Sequence, residues 1–258
     1  MKTDFLPAGK LIKNESGKIL KGYHPFYYQT KNGQKLNCRL YTPPNNGEKQ
    51  KYPLVVHFHG AGSRGDNNSS QLRFSQKLTN KENAVKYPCF LFAPQCPADK
   101  KWVDIDWGEL AHEIPSEPSS QMAMAMAAID EIIKKYPVDT TRIYVYGQSM
   151  GAFATWDILC RRPDMFAAAV SVCGGGDENC APRIAHVPVR IIHGALDPVV
   201  KVERSQNMFA ALKKAGGSPG YTEYPKVRHN AWSYSYTPKL FAWMFSQKKG
   251  KKKNAAGR

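Results

Sequence analysis

Short apolar runs alternate with longer helix-forming stretches over most of this chain, and this alternation limits the folds open to it. The run LVVHFH lies between Pro53 and Gly60 and is too short for a helix, so it predicts a buried strand. The stretch 119–137 has good helix formers, serines at its start and lysines in its last turn. Similar strand-length runs occupy 89–94, 142–147, 167–174 and 189–194, and further helical stretches occupy 151–163 and 206–217. Strands that alternate with helices in this way predict an α/β fold with a mostly parallel sheet and helices on both faces.

The N-terminal part of the chain predicts antiparallel structure instead. The segments HPFYYQT and LNCRLYTP flank a turn that contains Asn32-Gly33, which is a strong hairpin signal. A chain of 258 residues without a Pro/Gly/Ser linker fits a single core. We therefore expect a basic N-terminal segment over 1–22, a single α/β domain with an N-terminal antiparallel hairpin over 23–247, and a basic disordered tail over 248–258.

The net charge of +16 is concentrated at the two ends of the chain. Residues 1–51 have ten basic and three acidic side chains, and residues 245–258 have six basic and no acidic ones. Blocks of like charge are usually solvated ends, so we expect no specific nucleic-acid binding. No apolar run is long enough to span a bilayer, and the polar N-terminus lacks the apolar core of a signal peptide. The sequence as written indicates a cytoplasmic protein or a secreted one whose leader has been removed.

The cysteines fit neither the spacing of metal ligands nor that of a disulfide scaffold. Cys89 and Cys96, or Cys173 and Cys180, are close enough in sequence to pair in an oxidising compartment. Buried free thiols are the expected state for most of them, because a free cysteine packs as a small hydrophobe. The six are Cys38, Cys89, Cys96, Cys160, Cys173 and Cys180.

The segment Gly147-Gln148-Ser149-Met150-Gly151 follows a predicted strand and opens a predicted helix. A serine on such a sharp turn has its hydroxyl lifted above the sheet, where it can act as a nucleophile. The two glycines suit a strained turn in which helix and strand pass close together. The same geometry directs the Met150 N–H towards the place where an oxyanion would develop.

A second oxyanion donor is expected from the loop after an earlier strand, and His59-Gly60-Ala61-Gly62 occupies that place. We expect the Ala61 N–H to be this donor, with Gly62 as the alternative. His57 and His59 have no obvious third ligand, so we expect no metal site here. His59 is expected to pack beneath the loop and to hydrogen-bond its backbone.

A serine hydroxyl needs a base, and in folds with this turn the chain order is serine, then acid, then histidine. Of the seven histidines, only His229 follows the strand over 189–194 and a suitable acid. Asp197 lies just beyond that strand and is the expected acid, which would orient the imidazole. Glu203 and Asp177 are the alternative acids.

Several residues follow strands or lie in loops at the same sheet edge, where ligands bind in sheets of this kind. We expect Gln95, Trp102 and Gly174 to line the substrate pocket, although Trp102 and Trp107 are equally consistent with packing of a surface loop. The segment 97–120 is the only long loop and is a candidate cap.

Six separated motifs occur in the order HFHGAGSRGDN, FAPQCP, YVYGQSMGAFATWD, VSVCGGGD, HGALDPVV and TEYPKVRHNAW. Together they resemble the polyhydroxybutyrate-depolymerase/feruloyl-esterase-like branch of the α/β-hydrolases, which includes predicted peptidases of the prolyl-oligopeptidase type. The resemblance covers residues 35–247 and implies the α/β-hydrolase fold. It also implies a triad of Ser149, Asp197 and His229, with oxyanion donors at Ala61 and Met150. Members of this branch commonly cleave acyl esters, often acetyl or feruloyl groups on plant cell-wall carbohydrates.

The sequence therefore predicts a serine carboxylic-ester hydrolase that acts through an acyl-enzyme intermediate, on short-chain acyl or feruloyl esters of carbohydrates. We expect a small-molecule or carbohydrate ester as its partner and no metal or organic cofactor. One alternative is a serine peptidase of the prolyl-oligopeptidase type, although the residues before the HGAG strand are too few for the propeller of that branch. Another is a non-catalytic binding protein on a hydrolase scaffold. The oligomeric state is left open.

Overall fold

The computed structural model of the protein describes residues 6–44 and 50–250, and nine strands in this part of the chain form one sheet. The order across the sheet is β1-β2-β3-β5-β4-β6-β7-β8-β9. The strands are β1 (Gly9–Lys13), β2 (Tyr23–Thr30), β3 (Lys35–Tyr41), β4 (Tyr52–Phe58), β5 (Phe90–Pro94), β6 (Val138–Gln148), β7 (Ala168–Val172), β8 (Val189–Gly194) and β9 (Gly220–Tyr224).

Helices follow most of the parallel strands. They are α1 (Leu72–Ser75), α2 (Lys81–Lys86), α3 (Ser120–Lys135), α4 (Met150–Arg161), α5 (Ala181–Ile184), α6 (Glu203–Lys214), α7 (Trp232–Ser235) and α8 (Pro238–Ser246), with short 3-10 turns at Ala61–Ser63 and Glu178–Cys180. Among the described residues, no helix combines the length and the apolar character needed to cross a membrane.

The pairing of the strands confirms the predicted fold class. Strands β5, β4, β6, β7, β8 and β9 run parallel to one another, whereas β1, β2 and β3 pair antiparallel and join the sheet through β5. The parallel strands bring their carboxyl ends to one edge of the sheet. The chemistry predicted from the sequence falls at this edge.

Strand β1 lies inside the predicted N-terminal segment 1–22 and was not expected as part of the sheet. It pairs with β2, with Ile12 opposite Tyr27. The sequence GKLIK is short and has lysines within it, and only Leu11 is buried, so its apolar pattern is too weak to indicate a strand. An edge strand needs only one neighbour and one buried side chain to form.

Part of the predicted tail 248–258 packs against the domain. The backbone N–H of Lys249 donates to the Thr141 carbonyl at 2.9 Å. Residues 251–258, and with them the predicted disorder of the tail, lie outside the described residues. Residues 1–5 and 45–49 also lie outside the described residues.

The core lies on both faces of the sheet. Strand β4 is buried along its whole length, and its side chains alternate between the two faces, with Leu54, Val56 and Phe58 on one face and Val55 on the other. Helices α3, α4 and α6 cover the first face, and α1, α2 and α8 cover the second. All six cysteines lie in the described part of the chain and are buried free thiols.

A matched pair of valines tests this layering. Val56 is 0% exposed in β4, whereas Val85 is 78% exposed on α2. We expect Val56→Ala to lower the free energy of unfolding by about 2–3 kcal/mol, because it removes buried methyl groups from the centre of the sheet. Val85→Ala should change it by less than about 0.5 kcal/mol. Urea denaturation of both variants measures the difference, and equal losses would contradict the described burial of β4.

Candidate active site

The turn between β6 and α4 holds Ser149 in a backbone conformation that side chains rarely adopt, with φ of 54°. Its N–H donates to the Val172 carbonyl of β7 at 2.9 Å, which fixes the turn above the sheet. A Cβ at Gly147 would lie 2.1 Å from the Gly151 carbonyl oxygen, and one at Gly151 would lie 2.0 Å from that of Phe58. Both glycines are therefore required, because the helix and the strands approach each other too closely for a side chain.

A chain of hydrogen bonds links this serine to the other two residues predicted from the chain order. Ser149 Oγ lies 2.8 Å from His229 Nε2, and His229 Nδ1 lies 2.6 Å from Asp197 Oδ2. The carboxylate can only accept, so the Nδ1 of His229 carries a proton towards it, and Nε2 is left to accept from the serine hydroxyl. The arrangement suits transfer of the serine proton to the imidazole.

The Asp197 carboxylate is buried and receives several N–H donors. Its Oδ1 accepts from the backbone N–H groups of Val199 and Val200, at 2.9 and 3.0 Å. Burial by itself raises the pKa of this carboxyl, but hydrogen bonds from His193, His229 and the two backbone groups outweigh burial and hold the pKa well below its usual range. Asp197 is therefore ionised at neutral pH and opposite the imidazole.

The two alternative acids have other places in the structure. Asp177 caps the turn at 178–180 by accepting from the Asn179 N–H, and it also accepts from the Ile114 N–H, both at 2.9 Å. Glu203 is exposed in the first turn of α6. Asp197 is the acid that the structure brings to His229.

His57 and His59 support the loops beneath the serine. His59 Nδ1 donates to the Gly60 carbonyl at 2.7 Å, and its Nε2 accepts from the Cys96 N–H at 2.9 Å, so the expected backbone role is present. His57 Nε2 donates to Gln148 Oε1 at 3.1 Å, and Tyr236 donates to the same oxygen at 2.8 Å. Burial lowers the pKa of His57 to about 3 and that of His59 to about 4, so both rings are neutral at ordinary pH.

One group in the described residues could in principle hold a metal ion. Cys173, His193 and Asp197 are buried and have ligand atoms within 4.8 Å of one another. The Asp197 carboxylate is already saturated by N–H donors. Burial, together with the charge of Asp197, raises the pKa of the Cys173 thiol to about 12, so the thiol is protonated at neutral pH. The chemistry of these three groups is that of a hydrogen-bonded cluster.

A cavity of about 550 Å³ opens over Ser149 and His229. Three aromatic side chains form part of its wall, namely Phe74, Trp107 and Trp232. Trp232 packs edge-on against the His229 ring, with ring centroids 5.1 Å apart. The other lining residues are Gly60, Ala61, Gly62, Ser63, Arg73, Gln148, Val199, Asn230 and Ser233.

The two expected oxyanion donors lie beside the serine. Ala61 lines the cavity at the start of a 3-10 turn, and Gly62 lines it as well. A Cβ built on the preceding Gly60 would be 3.5 Å from Ser149 Cβ, which shows how near this loop comes to the nucleophile. Met150 is the first residue of α4, and the first N–H groups of a helix have no partner within it. The oxyanion roles of Ala61 and Met150 stay a prediction.

The residues expected to line the pocket lie one layer behind it, which corrects that part of the sequence analysis. Gln95 is buried and donates to the Ser63 carbonyl at 3.2 Å. Trp102 is buried and donates to the His59 carbonyl at 3.2 Å. Gly174 packs so closely on α4 that a Cβ would lie 2.5 Å from Ala152 Cβ. Gln95 and Trp102 support the loops that form the cavity, whereas Gly174 packs on α4.

Phe74, Trp107 and Trp232 form the aromatic wall of the cavity instead, and the sequence indicates them with different strength. Trp107 belongs to the loop over 97–120 that was predicted as a cap, and it is the second tryptophan of KKWVDIDW. Trp232 follows His229 by three residues, a spacing that could have drawn attention to it. Phe74 comes from the short helix α1, far from any motif, and no sequence signal indicated it.

Comparison with known proteins shows which family the chain belongs to. The sequence profile of the phospholipase/carboxylesterase family matches residues 45–237. The chain belongs to this family of α/β-hydrolases. A thermostable esterase of known structure is 33% identical to it, with a TM-score of 0.82, and the match covers 90% of this chain and 64% of that one.

More distant relatives of the chain include esterases and peptidases. A probable glutamyl endopeptidase of Arabidopsis thaliana is 24% identical over 80% of this chain, and a bifunctional acetylxylan esterase/xylanase of Neocallimastix patriciarum is 22% identical over 82%. The chain spans only 26% and 29% of the lengths of these two proteins. A ferulic acid esterase structure has the same fold, with a TM-score of 0.62 at 15% identity, and the match covers 92% of this chain and 97% of that one.

The buried neutral histidines His57 and His59 predict how the stability of the protein depends on pH. The unfolded chain takes up protons on these rings below their ordinary pKa of 6.5, whereas the folded chain does not until about pH 3 to 4. Their contribution to stability is therefore complete above pH 6.5 and is lost as the pH falls. His57→Gln keeps an N–H donor to Gln148 but removes the proton uptake. Between pH 6.5 and 4.5 we expect this variant to lose about 1–2 kcal/mol less free energy of unfolding than the wild type.

Chemical denaturation at a series of pH values measures this difference. His186→Gln is the matched control, because that side chain is 56% exposed, and it should follow the wild-type curve. Identical pH dependence in His57→Gln and the wild type would show that His57 is not held neutral by the fold.

Proposed function

We propose that the protein is a carboxylic ester hydrolase that acts through an acyl-enzyme intermediate on Ser149. The observation that carries the proposal is the continuous hydrogen-bond chain from Ser149 Oγ to His229 and on to Asp197, with separations of 2.8 and 2.6 Å. Nucleophile, base and orienting acid stand in the chain order and with the contacts that acyl transfer to a serine requires. Their catalytic roles are part of the proposal.

In the first step, Ser149 Oγ attacks the carbonyl carbon of the ester and its proton passes to His229 Nε2. The carbonyl oxygen becomes an oxyanion, which accepts hydrogen bonds from the N–H groups of Ala61 and Met150. Each such donor contributes about 3–4 kcal/mol to stabilising the transition state. The C–O bond to the alcohol then breaks, and the alcohol leaves with the proton from His229.

In the second step, a water molecule attacks the acyl carbon and gives a proton to the same imidazole. The bond to Ser149 breaks, the serine regains its proton from His229, and the carboxylic acid is released. Throughout both steps the ionised Asp197 holds the His229 ring in one orientation and stabilises its positive form. The chain's own residues supply every proton transfer, and water is the only further reactant.

For the substrate, we propose short-chain acyl or feruloyl esters of carbohydrates. The aromatic wall of Phe74, Trp107 and Trp232 offers flat apolar surfaces for a planar acyl group or for a sugar ring. The likeness to a ferulic acid esterase and to a bifunctional acetylxylan esterase/xylanase also supports this substrate class.

A peptidase activity is the second candidate, because an acylaminoacyl peptidase of Pyrococcus horikoshii has a similar structure. Its TM-score is 0.63 at 17% identity, and the match covers 92% of this chain and 44% of that one. An aminopeptidase would need an anionic group for the free ammonium of its substrate. The described residues that line the cavity include no aspartate or glutamate. Among them, Arg73 is the side chain with a permanent charge. This charge pattern favours neutral esters over peptides with a free N-terminus.

A non-catalytic binding role is the third candidate. A scaffold that only binds carbohydrate has no need of a serine in a strained turn or of an ionised carboxylate aligned with an imidazole. Strain at such a residue costs about 1–3 kcal/mol and persists where function requires it. The intact geometry at Ser149 argues against this candidate.

Replacement of the nucleophile tests the acyl-enzyme proposal. We expect Ser149→Ala to lower kcat on p-nitrophenyl acetate by at least about a thousandfold, because the attacking oxygen is lost. It should also abolish labelling by a fluorophosphonate probe. Ser218→Ala is the matched control, since Ser218 is exposed and lies away from the cavity. Hydrolysis by Ser149→Ala at the wild-type rate would refute the assignment.

A substrate panel tests the proposed specificity. We expect the wild type to cleave p-nitrophenyl acetate, p-nitrophenyl butyrate and methyl ferulate faster than peptide anilides. Trp107→Ala should raise KM for methyl ferulate by about twofold to tenfold, because one aromatic contact is lost, and change KM for the acetate by less. Trp243→Ala, which alters a tryptophan packed over Arg190 away from the cavity, is the control. A preference for the anilides would overturn the ester proposal in favour of the peptidase.

A further inference from the structure

The carboxylate of Asp197 is shared by two imidazoles. Besides His229, the ring of His193 approaches it, with Nε2 at 3.1 Å from Asp197 Oδ2. His193 lies near the end of β8, four residues before the acid, and both side chains are 0% exposed. The mechanism above uses His229 alone, so a buried second histidine on the same oxygen has no role in it.

The contacts of His193 show that its Nε2 carries a hydrogen. Nε2 faces two acceptors, Asp197 Oδ2 and the Val200 carbonyl oxygen at 3.0 Å, so this nitrogen must carry a hydrogen. Nδ1 lies 2.7 Å from the hydroxyl of Ser205 on α6. That hydroxyl is also 2.9 Å from the Gly174 carbonyl, so the ring is anchored to α6 and to the segment after β7. The imidazole is thus held with its N–H directed at the carboxylate.

We propose that His193 is a positioning residue for the reaction: its Nε2–H holds the Asp197 carboxylate so that Oδ2 meets His229, and it takes up part of the negative charge. The inference rests on the proposed catalytic roles of Ser149, Asp197 and His229. His193 touches neither the serine nor the place of the ester, and it acts through Asp197.

The four donors on the carboxylate explain why its charge would matter. Oδ1 is held by two backbone N–H groups, and Oδ2 by His193 and His229. If His193 no longer donates, more of the negative charge on Oδ2 acts on His229 alone. The protonated form of His229 is then stabilised and persists to higher pH. Since Ser149 needs a neutral imidazole as its base, the acid limb of the activity profile moves to higher pH.

Other ionisable groups also face His193 and must be kept constant in a test. Cys173 at the end of β7 is a protonated thiol, and Glu223 of β9 lies opposite His193 in the strand register. Glu223 accepts a hydrogen bond from Gln206 at 2.9 Å, which a change at His193 leaves in place. On α6, Arg204 is engaged with His112. A comparison of two variants at position 193 therefore isolates the bond to Asp197.

Asparagine and glutamine at position 193 form a matched pair. The amide nitrogen of glutamine reaches the place of Nε2 and can still donate to Asp197, whereas that of asparagine reaches only the place of Nδ1, next to Ser205. We expect His193→Asn to move the acid limb up by about half a pH unit to one unit, because a hydrogen bond to a charged group is lost. It should lower kcat on p-nitrophenyl acetate about tenfold with KM within twofold. His193→Gln should keep the wild-type limb and rate.

The rate at which a fluorophosphonate labels Ser149, measured from pH 4 to 9, gives the acid limb without reference to any substrate. His186→Asn is the control at an exposed histidine, and thermal unfolding establishes that each variant is folded. Equal acid limbs in His193→Asn and His193→Gln would overturn the inference. A wild type that is labelled but cleaves no ester would refute the proposed substrate while the labelling still tests His193. A wild type that is not labelled would refute both proposals.

Proton NMR of the wild type provides a test that needs no variant at position 193. The protected imidazole N–H resonances of the buried histidines, which include His57 and His59, should be assigned first. Labelling of Ser149 should move the resonances of His193 Nε2–H and His229 Nδ1–H together, because these two groups share one oxygen. A His193 resonance that does not respond to labelling would contradict the inference.

Discussion

The close approach of α4 to strands β4 and β6 is the constraint on which the site depends. The backbones meet at Gly147 and Gly151, where any Cβ would lie about 2 Å from a carbonyl oxygen. Because the backbones are this close, the residue between the two glycines cannot adopt an ordinary backbone conformation, and Ser149 has a positive φ. The strain is sustained by the surrounding sheet, since β4 is buried along its whole length. A nucleophile at the edge of the sheet is thus a consequence of how tightly the core is packed.

Buried polar groups then keep the loops around the serine in place. His57 and His59 are neutral because burial disfavours their charged forms, so each ring offers fixed hydrogen bonds to Gln148 or to the backbone of the loop at 59–62. Trp102 and Gln95 hold the same loops from behind. The Asp197 carboxylate is the opposite case, because it is buried in its charged form and needs four donors to remain so. The site therefore combines neutral side chains that hydrogen-bond the loops with one ionised carboxylate that accepts four hydrogen bonds.

The sequence predicted the elements with strong periodicity and missed those without it. The parallel strands β4 to β8 and the helices α3, α4 and α6 appear where the apolar runs and helix signals placed them, because each must bury a complete face or stripe, whereas the partly exposed β9 has no apolar run. Strand β1 was missed, since an edge strand with one buried leucine has almost no apolar pattern. Chain order and strand ends indicated Ser149, Asp197 and His229, and the structure brings these three side chains together. Gln95, Trp102 and Gly174 also follow strands or lie in loops over them, yet their side chains pack inward, and the cavity wall is built by Phe74, Trp107 and Trp232.

By itself, then, the sequence determined the fold class, the strand-to-helix turn at Ser149 and the order of the three residues around it. These depend on local chemistry: apolar periodicity, the absence of a side chain at two glycines, and the position of polar residues directly after strands. Only the tertiary structure decided which aromatic rings face the cavity and that two histidines meet on Asp197. The aromatic rings come from α1, α7 and the loop after β5, and His229 reaches Asp197 from 32 residues further along the chain, whereas His193 lies four residues before it. The directions of these side chains depend on how the helices pack on the sheet, and no local sequence pattern predicts that packing.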